Sequence, residues 1–286
     1  MEERKIIACV DRSPYSLAVA DCASWVARQI NAPVEFLHAI DRHLEQGSGE
    51  DHSGAIGVDA QENLLNKLLS SDREKTKKAR EQGRIFLNEL REHALGKGVE
   101  RADSRLRHGP LVDCLLELQD STRIAVIGRR GETAVASKRD IGRTFEAAVR
   151  ALNKPVLGVH EAFKVPERFL FAFDGSSVSK RGVETVLQSK LFAGLKGTLL
   201  MCGEKSGSGI KLLEEAAQTL TDSGIATEFS HVQGDVVTQM VKGLEIHQAD
   251  MLVMGAYTHS PLRKLIFGSK TEDMLRATKV PALLLR

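Results

Sequence analysis

Residues 5–13 read KIIACVDRS, and residues 168–176 read RFLFAFDGS. Each is a short apolar run that ends in Asp-x-Ser and gives way to a helical pattern. Two further pairs follow in the same order. Residues 123–131 (RIAVIGRRG) match 250–258 (DMLVMGAYT), an apolar run ending in glycine and a polar loop. Pro155-Val-Leu-Gly-Val matches Pro281-Ala-Leu-Leu-Leu, a short run behind a proline. Three ordered landmarks make the 286-residue chain a tandem repeat with a period near one domain.

Between the landmarks, strand and helix patterns alternate. The first half predicts strands at 5–10, 33–38, 103–107, 123–127 and 155–159, with helices at 16–30, 60–97, 111–119 and 144–152. The second predicts strands at 168–173, 197–202, 225–231, 251–254 and 281–285, with helices at 177–190, 209–223, 235–247 and 269–277. Short apolar strands alternating with amphipathic helices require a parallel sheet covered on both faces. The expected fold class is α/β: two tandem doubly wound, Rossmann-like domains, 1–160 and 167–286, each a five-stranded parallel sheet flanked by helices. A short hinge containing Pro166 joins them. The polar, Gly-rich segment 41–57 has no counterpart in the second half and reads as a loop.

Composition excludes several classes of function. The formal charge is +2, from 40 basic and 38 acidic residues, and aromatics are 5%. Neither a phosphate-backbone grip nor a stacking platform for nucleic acid is expected. No signal peptide and no span of the roughly 20 apolar residues needed to cross a bilayer is visible. Cys9, Cys22, Cys114 and Cys202 form no CxxC pair and read as reduced thiols, which fits the cytoplasm. His38, His43 and His52 lack metal-ligand spacing. Lys75, Lys77, Lys78 and Arg80 sit beside Glu74 and Glu81 on a helix and read as a solvated face.

In a parallel α/β sheet, ligands sit at the carboxyl ends of the strands. Asp11 and Ser13, and Asp174 and Ser176, fall there. They fit a ribose or metal contact, and equally a turn that caps the next helix. The loop after the fourth strand is the second candidate. Gly255 leads through Thr258 to Gly268-Ser269 at a helix start, where free N–H groups favour an anion. Ser269-x-x-Glu272 is also a capping box, which needs no ligand.

Strand-Asp-x-Ser, followed by Gly-x2-Gly-x9-Gly-(Ser/Thr) and a Pro-led strand, resembles the universal stress protein family over nearly the whole chain, twice. The resemblance implies a stress-response or regulatory protein that binds adenine nucleotide, ATP with Mg2+. It implies contacts from the Asp-x-Ser pairs, from the ends of the second strands at Ala39 and Cys202, and from Met254, Gly255, Thr258, Gly268 and Ser269. In the first half it implies Gly128, Gly131, Gly142, Arg143 and Thr144. Both halves depart from the motif. Thr258 replaces the second glycine, while the x9 spacing survives. The first half keeps Gly128 and Gly131, but ten residues precede Gly142, and Arg143 stands where Ser or Thr is expected. The second half is therefore expected to carry most of the binding. The departures leave open a nucleotide-independent scaffold or small-molecule sensor. No paired general acid and base is visible, so catalysis beyond weak ATP hydrolysis is not expected. Relatives of this kind dimerise through the last strand. Fusion of two copies would pair 155–159 with 281–285 inside one chain, and a further homodimer is compatible with it.

Overall fold

A computed structural model describes residues 4–40, 58–131, 141–204, 207–255 and 269–285. The segment 41–57 lies outside them. The first half contains β1 (Lys5–Cys9), α1 (Ser16–Ile30), β2 (Val34–Ile40), α2 (Val58–Gly96), β3 (Ala102–His108), α3 (Leu111–Glu117), β4 (Thr122–Gly128), α4 (Arg143–Ala151) and β5 (Val156–Val159). The second contains β6 (Arg168–Ala172), α5 (Ser177–Gln188), β7 (Lys196–Cys202), α6 (Gly207–Asp222), β8 (Thr227–Val232), α7 (Val236–Ile246), β9 (Met251–Gly255), α8 (Ser269–Ala277) and β10 (Ala282–Leu285). All ten predicted strands and eight predicted helices are present, with ends shifted by a few residues.

The strands form one sheet in the order β3-β2-β1-β4-β5-β10-β9-β6-β7-β8. Within each half every pair is parallel. The order within each half is that of a doubly wound fold. The halves meet where β5 and β10 pair antiparallel, with Gly158 opposite Ala282, Leu157 opposite Leu283 and Val156 opposite Leu284. The pairing expected between 155–159 and 281–285 is thus present.

Strand periodicity sorts the core into two layers. Ile6, Ala8, Leu157, Val159, Leu283 and Leu285 face one layer, against α1, α2, α5 and α6. Ile7, Cys9, Val156, Ala282 and Leu284 face the other, against α3, α4, α7 and α8. Each layer runs without a break from one half into the other. Every residue of β5 and β10 is buried. Cys9, Cys22 and Cys114 are buried, Cys202 is half-buried, and all four are free thiols. Among the described residues, no helix is long and apolar enough to cross a membrane. Lys77, Lys78 and Arg80 are exposed on α2, as the solvated-face reading expects, and Arg80 Nε donates to His108 Nε2 at 3.0 Å. The side chains of Glu74 and Lys75 lie outside the described residues.

Two buried charges reinforce this frame. Glu35 on β2 stands opposite Ile7 and Asp103. That register puts Lys5 and Arg105 one same-face step away on the neighbouring strands. Lys5 Nζ donates to Glu35 Oε2 at 2.9 Å, and Arg105 Nε donates to Oε1. Burial pushes the carboxyl pKa up, but the hydrogen bonds from Arg105 and Lys5 outweigh it and hold it below its ordinary value. Arg129, 1% exposed, sits just past β4 and reaches into the second half. Its Nη1 donates to Leu275 O at 2.8 Å, to Thr278 O at 2.7 Å and to Thr278 Oγ1 at 3.2 Å. Its Nη2 donates to Val280 O. These are carbonyls that the last turn of α8 and the turn after it leave open. Burial drives the guanidinium pKa down to about 10, so it stays charged at neutral pH.

Two stability predictions follow from these charges. Arg129→Met strips a fork of donors from carbonyls that stay buried, so the chain should lose about 3 kcal/mol in denaturant unfolding. Arg129→Lys should not restore it, because an ammonium lacks the fork. For Glu35, the folded pKa is depressed, so its stabilisation is present above the unfolded value of about 4.3. It is lost as pH falls through the folded value. Glu35→Gln should therefore cost about 1–2 kcal/mol at pH 7, limited by the partial solvation of Lys5 and Arg105. The gap to wild type should close under acid. A gap that does not depend on pH would show that the ion pair is not its source.

Candidate functional site

The strand order reverses between β1 and β4 in the first half and between β6 and β9 in the second. In each half a crevice opens at the carboxyl ends there, because the flanking crossovers leave in opposite directions.

In the first half the chain leaves β1 through Val10, whose N–H still donates to Leu37 O at 3.0 Å. The Asp-x-Ser segment then makes a turn. Asp11 Oδ1 accepts from Ser13 N–H at 3.0 Å, and Ser13 Oγ accepts from Tyr15 N–H at 3.3 Å. Ser16 Oγ accepts from Asp11 N–H at 3.3 Å and donates to Asp11 O. One carboxylate oxygen of Asp11 thus shapes the turn. The other faces the loop after β4: a Cβ on Gly131 would lie 2.6 Å from Asp11 Oδ2. Gly128 is also held close, since a Cβ there would meet Arg130 O at 3.0 Å and Tyr15 Cβ at 3.1 Å. Neither glycine has a positive φ. Close approach, not left-handed backbone, is what requires glycine here.

The loop returns at Gly142, whose N–H donates to Arg129 O at 2.7 Å. Gly142 starts α4 with no side-chain cap. Glycine has no side chain to offer the first-turn N–H groups. Thr144 lines the space in front of this helix start, and Arg143 is not among the lining residues. The one-residue shift of the loop thus brings Thr144, not Arg143, to the wall.

These pieces enclose a cavity of about 490 Å³. Asp11, Ala39, Gly128, Gly131, Gly142 and Thr144 all line it. Ser13 is buried beneath the turn and does not. Ala39 and Ile40 give the β2 side apolar surface beside His38, while the glycines and the α4 start give the β4 side backbone polar groups beside Ile127 and Phe145. Volume and lining suit a small molecule with an apolar ring and an anionic group.

Several wall residues carry no motif. Ala79 and Gln82 reach the cavity from α2, and Arg12, Tyr15, His38 and Arg130 come from the strand ends. His38 Nδ1 lies 2.9 Å from Val10 O, so it donates there and Nε2 is the acceptor in the neutral ring. Tyr15 is 1% exposed, and its OH donates to Glu161 Oε1 at 3.2 Å. Burial raises its pKa, Arg130 opposes that and Glu161 adds to it. One signal in sequence existed for Arg130, a cation inside the Gly-x2-Gly loop. The α2 residues had none, because helix pitch alone does not say which turn crosses the cavity.

In the second half the same turn forms with a true helix cap. Asp174 Oδ1 accepts from Ser176 N–H at 3.0 Å. Ser176 Oγ accepts from Ser179 N–H at 3.2 Å and so caps α5. Burial would raise the Asp174 pKa, but the Ser176 hydroxyl and amide hold it below its ordinary value. Half-buried Cys202 ends β7, and Met254 and Gly255 end β9. A Cβ on Gly255 would lie 2.6 Å from Val178 Cγ1, again a close approach. Thr258 and Gly268 lie outside the described residues. Ser269 opens α8, but its side chain is not described. Its capping-box partner Glu272 accepts from Arg276 at 2.7 Å. Among the described residues, no cluster of three or more His, Cys, Asp or Glu side chains could hold a metal by itself.

The profile of the Universal stress protein family matches residues 3–160 and 203–286. Universal stress protein Slr1230 of Synechocystis sp. is 28% identical over 286 residues, spanning 99% of this chain and 100% of that protein. The crystal structure of a universal stress protein from Archaeoglobus fulgidus superposes with a TM-score of 0.72 at 15% identity, covering 99% of this chain and 96% of that one. A functionally unknown protein from Pseudomonas aeruginosa PAO1 gives 0.61 at 14%, covering 99% and 92%. At these identities the structural matches speak to fold alone.

Proposed function

This chain belongs to the universal stress protein family, and we propose that it acts there as a regulatory module that binds an adenine nucleotide, ATP, in the first-half cavity. The observation that carries this reading is the convergence of Asp11, Ala39, Gly128, Gly131, Gly142 and Thr144 on one cavity. The base would lie on the apolar β2 side and the phosphates before α4, where free N–H groups complement their charge. Among the described residues, Asp11 is the one carboxylate in that wall. Magnesium usually takes one or two carboxylates and completes its shell from phosphates and water, so the donor set fits Mg2+ arriving with the nucleotide. The ion would screen the repulsion between Asp11 and the phosphates.

The second half has the same turn at Asp174 and Ser176, and binding there is part of the proposal through Gly255 and Ser269. Among the described residues of the first-half wall, no paired general acid and base stands together. The Asp11 carboxylate is engaged by its turn, and retention rather than turnover of ATP is the reading. The rival, a scaffold or sensor without nucleotide, draws support from the turn hydrogen bonds that already engage Asp11 and Asp174. A homodimer of whole chains would need surfaces other than β5 and β10, which already pair inside one chain.

Calorimetry with ATP and magnesium should show micromolar binding, and absence of heat or thermal shift at millimolar ATP would sink the proposal. Gly131→Val places carbon against Asp11 Oδ2 and should weaken the first-half event by at least about tenfold, or 1.4 kcal/mol. Gly268→Val should leave that event in place while removing any second-half one. A Gly131→Val protein that binds as wild type would assign the binding elsewhere.

A further inference from the structure

Beside the nucleotide cavity lies a groove of about 410 Å³, lined by Arg12, Ser13, Gln82, Ile85, Phe86 and Glu89. Arg12 and Gln82 line the cavity as well. They are joined to each other, with Arg12 Nη1 donating to Gln82 Oε1 at 3.2 Å. The pair is exposed, so water competes for both partners and the bond contributes little net stability. What divides the two spaces is therefore one replaceable side-chain contact. The groove walls are mainly apolar. Ile85 leaves 54% of its surface in water. Phe86 stands edge-on to His38 at 5.8 Å, and His38 lines the cavity.

The strand order fixes which part of a bound nucleotide comes nearest the groove. In the sequence β2-β1-β4, the base lies toward β2 and the phosphates toward β4. The ribose then lies over the end of β1, beside Asp11. Arg12 is the next residue and stands at the partition. A substituent on the ribose hydroxyls would leave the cavity past Arg12 and Gln82 and meet Ile85 and Phe86. We infer that this groove is a subsite for an apolar group carried on the ribose of the bound adenine nucleotide. The inference rests on the nucleotide reading of the cavity. It narrows the ligand class from adenine nucleotides in general to those bearing an apolar ribose ester or ether. Such a ligand replaces the Arg12–Gln82 contact and removes the face of Ile85 from water.

The test compares ATP with 2′/3′-O-(N-methylanthraniloyl)-ATP on the full chain, by calorimetry and by fluorescence of the anthraniloyl ring. The modified nucleotide should bind tighter by about tenfold, the order expected when an aromatic face leaves water, and its emission should rise. Ile85→Glu should abolish the advantage and leave ATP affinity unchanged, since Ile85 does not line the cavity and its exposed position tolerates a charge. Equal affinity for the two nucleotides, or an Ile85→Glu protein that keeps the advantage, overturns the subsite while the nucleotide site stands. Loss of affinity for both nucleotides to the same extent in Ile85→Glu also overturns it. If the chain binds neither, the nucleotide reading of the cavity has failed and the subsite falls with it.

Discussion

The antiparallel contact between β5 and β10 is the constraint on which the rest of the molecule depends. Each half ends its parallel sheet with a four-residue apolar strand whose unpaired N–H and C=O groups would be a liability as a free edge. Pairing the two edges removes both liabilities at once and makes ten strands into one sheet. It also makes each helix layer continuous across the junction. Because the pairing is antiparallel, it relates the halves by an approximate twofold. The two crevices then open at separate places along the sheet rather than sharing a wall.

Arg129 breaks that approximate symmetry. It belongs to the first-half loop, yet its guanidinium terminates a helix of the second half. Its backbone carbonyl meanwhile holds Gly142 at the start of α4. One residue thus fixes the far end of the cavity loop and the docking of the other half. The matching position in the second half is Ala256, which has no side chain able to reciprocate. Among the described residues no carboxylate pairs with this buried charge; four oxygen acceptors engage its two Nη groups, while Nε is buried without a partner.

The Asp-x-Ser segments show how a turn and a ligand site share the same atoms. In both halves the aspartate accepts the amide two residues on, the ordinary behaviour of that residue at a strand end. In the first half this locks the carboxylate so that its second oxygen lies against Gly131. The turn reading and the site reading are therefore compatible there. The serines differ: Ser176 caps α5, whereas Ser13 is buried under the turn and α1 begins at Tyr15 without a side-chain cap.

The sequence by itself determined the elements and their order, because hydrophobic period and Pro-led apolar runs are local properties; the pairing of the two last strands was implied by the family resemblance. The family motif also pointed to Asp11, Gly128, Gly131 and Gly142, and two of these glycines mark backbone that must come close to something. It did not say what that something was; for Gly131 it is Asp11, more than a hundred residues away. The participation of Ala79 and Gln82 depends on where a 39-residue helix crosses the sheet edge. The choice of Thr144 over Arg143 depends on the rotation of α4 about its axis. Arg129 read as one more polar loop residue until the packing of the second half surrounded it with carbonyls. In each case the deciding quantity is a distance between segments far apart in the chain, which only the packed tertiary structure sets.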